Sequence, residues 1–324
     1  MKYFKKILYV NTSAAERDSM AARAAALAKI YKAELTAVDV IPERTIWAVA
    51  ESLDGKQTSF YLQEAIISER HSALKSMFEP YTQDLSIRTE VLVGKTFLEV
   101  IRTVLKDGYD LVIKPAENPD WTQRLFGSDD LHLLRKCPCP VWIINPSEEF
   151  SWKHIMAAVD FDPRHPSSQE HSLNREILEY AASLALFESA TLHLVHAWEA
   201  LGESLLQLRA DVSSEAVAEY LEKDLDRHRK VLYRLAEELP QWIGSDAYDK
   251  LSLSFHLPKG PAEKVIPPTA AKLGADLVVM GTIARTGISG LIIGNTAEAI
   301  LDQLTSSVLA IKPPGFKTPV QRGS

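Results

Sequence analysis

The order of strand-like and helix-like segments in this 324-residue chain is written twice, which restricts its fold to two copies of one α/β unit. Trp152-Lys153-His154-Ile155-Met156 echoes Phe4-Lys5-Lys6-Ile7-Leu8. The run from Ser183-Leu184-Ala185 to Leu192-His193-Leu194-Val195 echoes that from Ala26-Leu27-Ala28 to Leu35-Thr36-Ala37-Val38. Gly108-Tyr109-Asp110-Leu111-Val112 returns as Gly274-Ala275-Asp276-Leu277-Val278, and Val141-Trp142-Ile143-Ile144-Asn145-Pro146 as Val308-Leu309-Ala310-Ile311-Lys312-Pro313. Similarity at several segments in one order marks an internal duplication, with its boundary near Ser147 to Ser151.

Within the first copy the pattern alternates. Lys6–Val10, Glu34–Val40, Leu85–Val93, Asp110–Ile113 and Val141–Ile144 read as strands. Arg17–Tyr31, Ser59–Phe78 and a segment opening at Phe97 and ending at Gly108 read as helices. Strands separated by helices of about ten or more residues require a parallel sheet with right-handed crossovers. The second copy carries an insertion, Trp198 to Trp242, with apolar residues at helical spacing and charges between them. A first insertion helix is expected over Glu199–Arg209, and Pro267-Pro268 is expected to break or delay the helix over Ala262–Leu273.

Composition excludes several classes of function. A formal charge of −7 and a pI near 5.8 argue against a general nucleic-acid-binding surface. The apolar run after Met1-Lys2-Tyr3-Phe4-Lys5-Lys6 is too short for a secretory leader, and no window approaches the ~20 apolar residues of a membrane span. Two cysteines, Cys137 and Cys139, make no disulfide framework and lack the second pair a zinc site needs. The expected location is the cytoplasm. The nine histidines show no ligand spacing, and no nucleophile elbow, phosphate-loop lysine or paired-acid signature appears. A binding role is therefore expected rather than an enzymatic one; weak ATP hydrolysis stays open, with no residue identifiable as its general base.

The stretch with binding chemistry lies in the second copy. Asp276 to Met280 has the pattern of a strand buried on both faces; glycines follow at 281, 287, 290 and 294, and helical periodicity resumes at Thr296. Strand, glycine-rich loop and helix start together bring backbone N–H groups toward an anion. Gly281, two residues, Ala284, nine residues, Gly294, Asn295 and Thr296 resembles the nucleotide-binding loop of the universal stress protein family. That pattern is Gly, two residues, Gly, nine residues, Gly, then Ser or Thr. Ala284 and Asn295 are the departures.

Together with the duplication, the loop makes the whole chain resemble a tandem member of that family. The resemblance implies two doubly wound, Rossmann-like five-stranded parallel sheets of strand order 3-2-1-4-5. It also implies halves paired through their last strands, Val141–Ile144 and Val308–Ile311, so that neither apolar edge is bare. The division expected is residues 1–147, residues 152–313 with the insertion at 198–242, and a tail of residues 314–324.

For that strand order, ligands bind beyond the carboxyl ends of the first and fourth strands, here Val159-Asp160 and Met280-Gly281. By resemblance, Asp160 and the backbone at His196-Ala197 would hold a nucleoside, while Gly281, Ala284, Gly294, Asn295 and Thr296 would hold phosphates beside Arg285. ATP with magnesium is the cofactor this implies. In the first copy the loop reads Lys114-Pro115-Ala116-Glu117, then Gly127-Ser128 after nine residues; Asn11 or Thr12 takes the acidic position. That copy is expected to scaffold rather than to hold ATP.

Two other readings stay open. One is a carrier of an apolar, lipid-like metabolite in a pocket lined by Leu201, Leu205 and Leu208; the other is an interaction scaffold. The resemblance further implies stress survival, including tolerance of DNA damage, without direct nucleic-acid contact. The partners it suggests are a second copy of the chain or other universal stress proteins.

Overall fold

The computed structural model describes residues 4–12, 17–43, 45, 56–117, 128–145, 152–165, 167–200, 202–203, 206, 213–282 and 294–321. The chain divides into two compact units. One contains Tyr3–Phe150 and Ser307–Ser324; the other contains Ser151–Gly287 and Gly294–Ser306.

The first unit begins β1 (Lys6–Asn11), α1 (Arg17–Tyr31), β2 (Glu34–Ile41), α2 (Lys56–Phe78) and β3 (Ile87–Val93). It continues α3 (Thr96–Asp107), β4 (Leu111–Pro115), α4 (Asp129–Lys136) and β5 (Val141–Ile144). These strands run parallel in the order β3-β2-β1-β4-β5. β1, β4 and β5 are apolar over nearly their whole length because both of their faces are covered. β3 starts two residues later than its alternation suggests: the backbone after Tyr81 turns first, with Leu85 N–H donating to Tyr81 O at 3.2 Å.

The second unit contains β6 (His154–Ala158), α5 (Ser168–Glu188), β7 (Thr191–Val195), α6 (Ser214–Ile243) and the short α7 (Ser245–Tyr248). β8 (Ser252–His256), α8 (Ala262–Leu273), β9 (Leu277–Gly281) and α9 (Asn295–Leu301) complete it. Its strands are parallel in the order β9-β6-β7-β8. The last strand, β10 (Ser307–Ile311), groups with the first unit and pairs antiparallel with β5, setting Leu309 opposite Trp142. The Asn145 N–H donates to Ser307 Oγ at 2.9 Å, closing one end of that pairing.

The repeated Gly-x-Asp-Leu motif has one mechanical role in both units. Gly108 and Gly274 close α3 and α8 in the left-handed conformation, with φ of 72° and 60°, which costs a glycine no Cβ clash. Two residues on, an aspartate turns back to the start of the first strand. Asp110 accepts from the Lys5 and Lys6 N–H groups at 2.8 and 3.1 Å, and Asp276 accepts from those of Lys153 and His154 at 2.6 and 2.9 Å. The motif thus ends a helix and aligns the neighbouring parallel strand.

Two features differ from expectation. Pro267 and Pro268 do not break the helix, and α8 runs unbroken through both. The carbonyl that Pro267 cannot serve, Glu263 O, accepts instead from Gln303 Nε2 at 3.0 Å. Among the described residues the insertion contributes a 30-residue helix, α6, about 45 Å long and continuing past Trp242, while most of the expected first helix over Glu199–Arg209 lies outside the described residues. Its buried stripe reads Asp224, His228, Leu232, Leu235, Ala236, Leu239 and Ile243. The polar members lie at its amino-terminal end and the apolar ones cover the sheet.

His154, His193 and His256 form a ladder across β6, β7 and β8. His154 Nδ1 lies 3.0 Å from His193 Nε2, and His193 Nδ1 lies 3.0 Å from His256 Nε2. Burial, reinforced by the neighbouring imidazoles, pushes His193 down to about 4, so its ring is neutral at physiological pH, donating through one nitrogen and accepting through the other. No described helix is long and apolar enough to cross a membrane.

Candidate functional site at the strand ends

The crevice of the second unit opens where β6 and β9 end together, Ala158 being in register with Met280. Val159 is buried and Asp160 exposed at the mouth. The backbone of Asp160 is held from α5 by a residue sequence reading had not singled out. Buried Asn174 accepts from the Asp160 N–H through Oδ1 at 3.1 Å and donates from Nδ2 to its carbonyl at 2.8 Å. This pair of hydrogen bonds fixes the turn out of β6.

Across the crevice, the Gly294 N–H donates to Thr282 O at 2.9 Å. That bond returns the chain to the end of β9 and starts α9 there, with Gly294 half-buried at its cap and Asn295 and Thr296 exposed in its first turn. The structure therefore brings Val159, Asp160, His196, Met280, Gly281 and Gly294 to one end of one sheet. Ala284 and Arg285 lie outside the described residues, as do Leu201, Leu205 and Leu208 of the expected apolar pocket and Gly127 of the first half.

Gly281 is small for a reason within the fold. A Cβ there would come 2.8 Å from Leu173 Cδ2 on α5. Gly281→Ala is expected to cost about 1 kcal/mol, the low end of overpacking, because Leu173 can turn its distal methyl aside. Combining it with Leu173→Ala should remove that coupling in a urea-denaturation double-mutant cycle. Strict additivity of the two substitutions would refute the packing role.

His196 lies in a ring cluster over the strand ends. Phe161 stacks on it with centroids 3.7 Å apart and planes 15° apart. His196 Nε2 lies 2.9 Å from Nδ1 of His228, carried in by α6, and His196 Nδ1 lies 3.2 Å from Val159 O. Trp198 borders His228 and donates from Nε1 to Leu257 O at 3.1 Å. The His196 N–H donates to His256 O at 3.0 Å, so it continues the sheet rather than pointing into the crevice. Half-buried Ala197 follows it.

α6 is secured at this end by buried Asp224, which accepts from Arg164 at 2.7 Å and Arg227 at 3.0 Å. Arg164 belongs to the loop after Phe161, where Asp162 accepts from the Arg164 N–H at 2.8 Å; that bond first, and His165 next to it, hold the Asp162 carboxyl below its usual range. The insertion thus closes over the β6 and β7 ends through a carboxylate and a histidine. Periodicity had placed Asp224 among the charges between the apolar positions, with no role of its own.

In the first unit the corresponding strand end is filled by the chain's own charges. Lys114, wholly buried at the end of β4, places Nζ 2.6 Å from Asp130 Oδ1 in the first turn of α4 and 3.4 Å from Glu117. Asp130 Oδ2 accepts from the Glu117 N–H at 2.9 Å. Ser128 caps α4 by accepting from the Leu131 N–H at 3.2 Å. Burial disfavours the Lys114 ammonium, but Asp130 and Glu117 together outweigh it and the amine titrates above its ordinary value. Asn11 turns along the sheet, donating from Nδ2 to Asp39 Oδ2 at 3.0 Å. The anion at this strand end and helix start is an internal carboxylate. Pro115 is the last residue of β4, as Gly281 is of β9.

Among the described residues, no group of three or more His, Cys, Asp or Glu side chains could hold a metal ion. The histidine ladder and the His196–His228 pair are hydrogen-bonded chains.

The family model for the universal stress protein family matches residues 3–145 and again 151–312. The chain is 30% identical over 269 residues to universal stress protein E of Escherichia coli K12, covering 80% of this chain and 79% of that protein. It is 28% identical over 319 residues to the universal stress protein E homolog of Haemophilus influenzae, covering 96% and 98%. Among solved structures, a functionally unknown protein of Pseudomonas aeruginosa PAO1 superposes with a TM-score of 0.64 at 27% identity, covering 96% of this chain and 93% of that one.

Proposed function

The chain belongs to the universal stress protein family, and from that premise we propose that it is a cytoplasmic stress-response protein that binds a nucleotide such as ATP in its second half, as a sensor or switch rather than a catalyst. The observation carrying this reading is the Thr282–Gly294 hydrogen bond, 2.9 Å, which closes the glycine-rich loop and starts α9 beside the crevice of Asp160 and Gly281. The first N–H groups of α9 then lie at the end of a parallel strand, an arrangement that favours a phosphate. In this reading Asp160 and the backbone at His196 and Ala197 address the nucleoside. Gly281, Gly294, Asn295 and Thr296 address phosphate, with Ala284 and Arg285 between them, and magnesium accompanies the nucleotide.

The asymmetry between the halves supports the same reading. Lys114 and Asp130 supply the charges of the first crevice internally, whereas the second retains the loop spacing. Support of survival under stress, DNA damage included, would follow from ligand-dependent partnering with a second copy or with other universal stress proteins.

Calorimetric titration of the intact protein with ATP and magnesium tests the proposal. Saturable binding of one nucleotide per chain is expected, abolished by Gly294→Asp with an unchanged circular dichroism spectrum. Absence of binding in the wild type would leave the interaction scaffold as the reading to pursue.

A further inference from the structure

The chain's two cysteines lie together in the first unit. Cys137 follows α4 in an extended conformation, φ −67° and ψ 131°, and Cys139 stands two residues before β5. The chain then bends at Pro138 and Cys139, which turns the second cysteine toward the first. With Pro138 fixing the φ between them, the sulfurs approach to 3.6 Å. Both side chains are buried, Cys137 completely.

A third group completes the cluster. The antiparallel ladder sets Ala310 opposite Val141, and Lys312 follows β10 with its amine at the last turn of α4, just before Cys137. Buried Lys312 donates from Nζ to Leu134 O, and Nζ lies 5.3 Å from the Phe316 ring centroid. Burial pushes this amine down to about 7, with Cys137 acting the other way. Burial opposes the Cys137 thiolate, but hydrogen bonding from Cys139 and the charge of Lys312 outweigh it and lower that thiol.

We propose that Cys137 and Cys139 form an oxidation site, a dithiol that a hydroperoxide converts into an intrachain disulfide with Lys312 as the base for Cys137. The Lys312 amine takes the Cys137 proton. The thiolate attacks one oxygen of the peroxide, the O–O bond breaks, and Cys137 becomes a sulfenic acid as the other oxygen leaves as water. Cys139 sulfur then attacks the sulfenic sulfur, the S–O bond breaks, and a second water leaves. Two thiols and one hydrogen peroxide give one disulfide and two waters. Because Cys137 is enclosed, the reaction waits on local opening at the end of α4 and is slower than that of an exposed thiol. The disulfide also removes the thiolate from beside Lys312, so oxidation alters the seam where β10 meets β5.

The test treats the native full-length protein with excess hydrogen peroxide, quenches with catalase, unfolds it with N-ethylmaleimide present and weighs it intact. Incorporation is expected to fall from two maleimides to none without intermolecular dimers. Cys139→Ser should stop at a sulfenic acid, trapped as one dimedone adduct on Cys137. Lys312→Met should slow the loss of thiols on the order of tenfold. Two maleimides retained by the native protein, under peroxide that fully oxidises the guanidinium-unfolded chain, would overturn the site. Loss of thiols through intermolecular dimers or sulfonic acids would overturn the disulfide, and a Lys312→Met variant oxidising at the wild-type rate would remove the base.

Discussion

Lys114→Met is expected to destabilise the first unit by roughly 3–5 kcal/mol, the cost of leaving one partner of a buried ion pair without the other. Lys114 and Asp130 are both shielded from water, at 1% and 4% side-chain exposure, so a surviving Asp130 carboxylate could not be hydrated in place. Glu117 adds a second acid at the exposed rim, whose own carboxyl is raised, by partial desolvation above all. Without the ammonium, two carboxyl groups would share one strand end, with the Glu117 N–H still donating to Asp130 among the described residues. The double variant Lys114→Met/Asp130→Leu removes both charges and is expected to recover most of the loss, as buried pairs replaced by apolar residues often do. The pH dependence follows from the sign. The folded-state affinity of Lys114 for its proton is raised, so the stabilisation is complete below the ordinary lysine range and is lost only as pH climbs through the higher folded value. Urea denaturation at neutral pH measures both variants. A Lys114→Met protein within about 1 kcal/mol of wild type would refute the charge-filled crevice.

What the sequence disclosed and what it hid separate along physical lines. The strands, the crossovers and the Gly-x-Asp-Leu motif were legible because each depends on local spacing: a period of two or continuous burial, a left-handed helix end, a carboxylate two residues on. The strand order and the pairing of Val141–Ile144 with Val308–Ile311 came from family resemblance, and β10 does lie antiparallel to β5. The first crevice read as a damaged loop because Lys114 and Asp130 are 16 residues apart and oppose each other only after α4 folds back on β4. The histidines looked unrelated for the same reason. His154, His193 and His256 meet only across aligned strands, and His196 meets His228 only after α6 docks. Pro267-Pro268 was read as a break because Gln303, the donor that compensates, arrives from beyond α9. Local chemistry is written in spacing, whereas compensation over distance appears only in the folded chain.

Lys312→Met is expected to act in the opposite direction to Lys114→Met, stabilising the protein near neutral pH and flattening its pH dependence. Both lysines are buried at a strand end, but their surroundings differ. Lys114 meets two carboxylates, whereas Lys312 donates to the Leu134 carbonyl beside the Phe316 ring. Burial takes the Lys312 amine from 10.5 down to about 7, with Cys137 only partly resisting. At ~1.4 kcal/mol for each tenfold change in proton affinity, the difference between unfolded and folded states is on the order of 5 kcal/mol. Its sign is fixed by linkage. Between about pH 7 and 10.5 the unfolded chain holds a proton that the folded chain has released, so stability rises with pH across that window. Below about 7 both states hold the proton, the slope vanishes, and the folded protein bears the whole cost of a buried ammonium. Methionine is similar in length and uncharged. It forfeits the hydrogen bond to Leu134, about 1–3 kcal/mol with its carbonyl left buried, and gains more by removing the charge. Urea denaturation of both proteins from pH 6 to 10 should therefore give curves that lie apart at pH 6, with the variant above, and converge or cross as pH rises. Parallel curves across that range would show that Lys312 keeps its ordinary proton affinity, and would also withdraw its role as the base for Cys137.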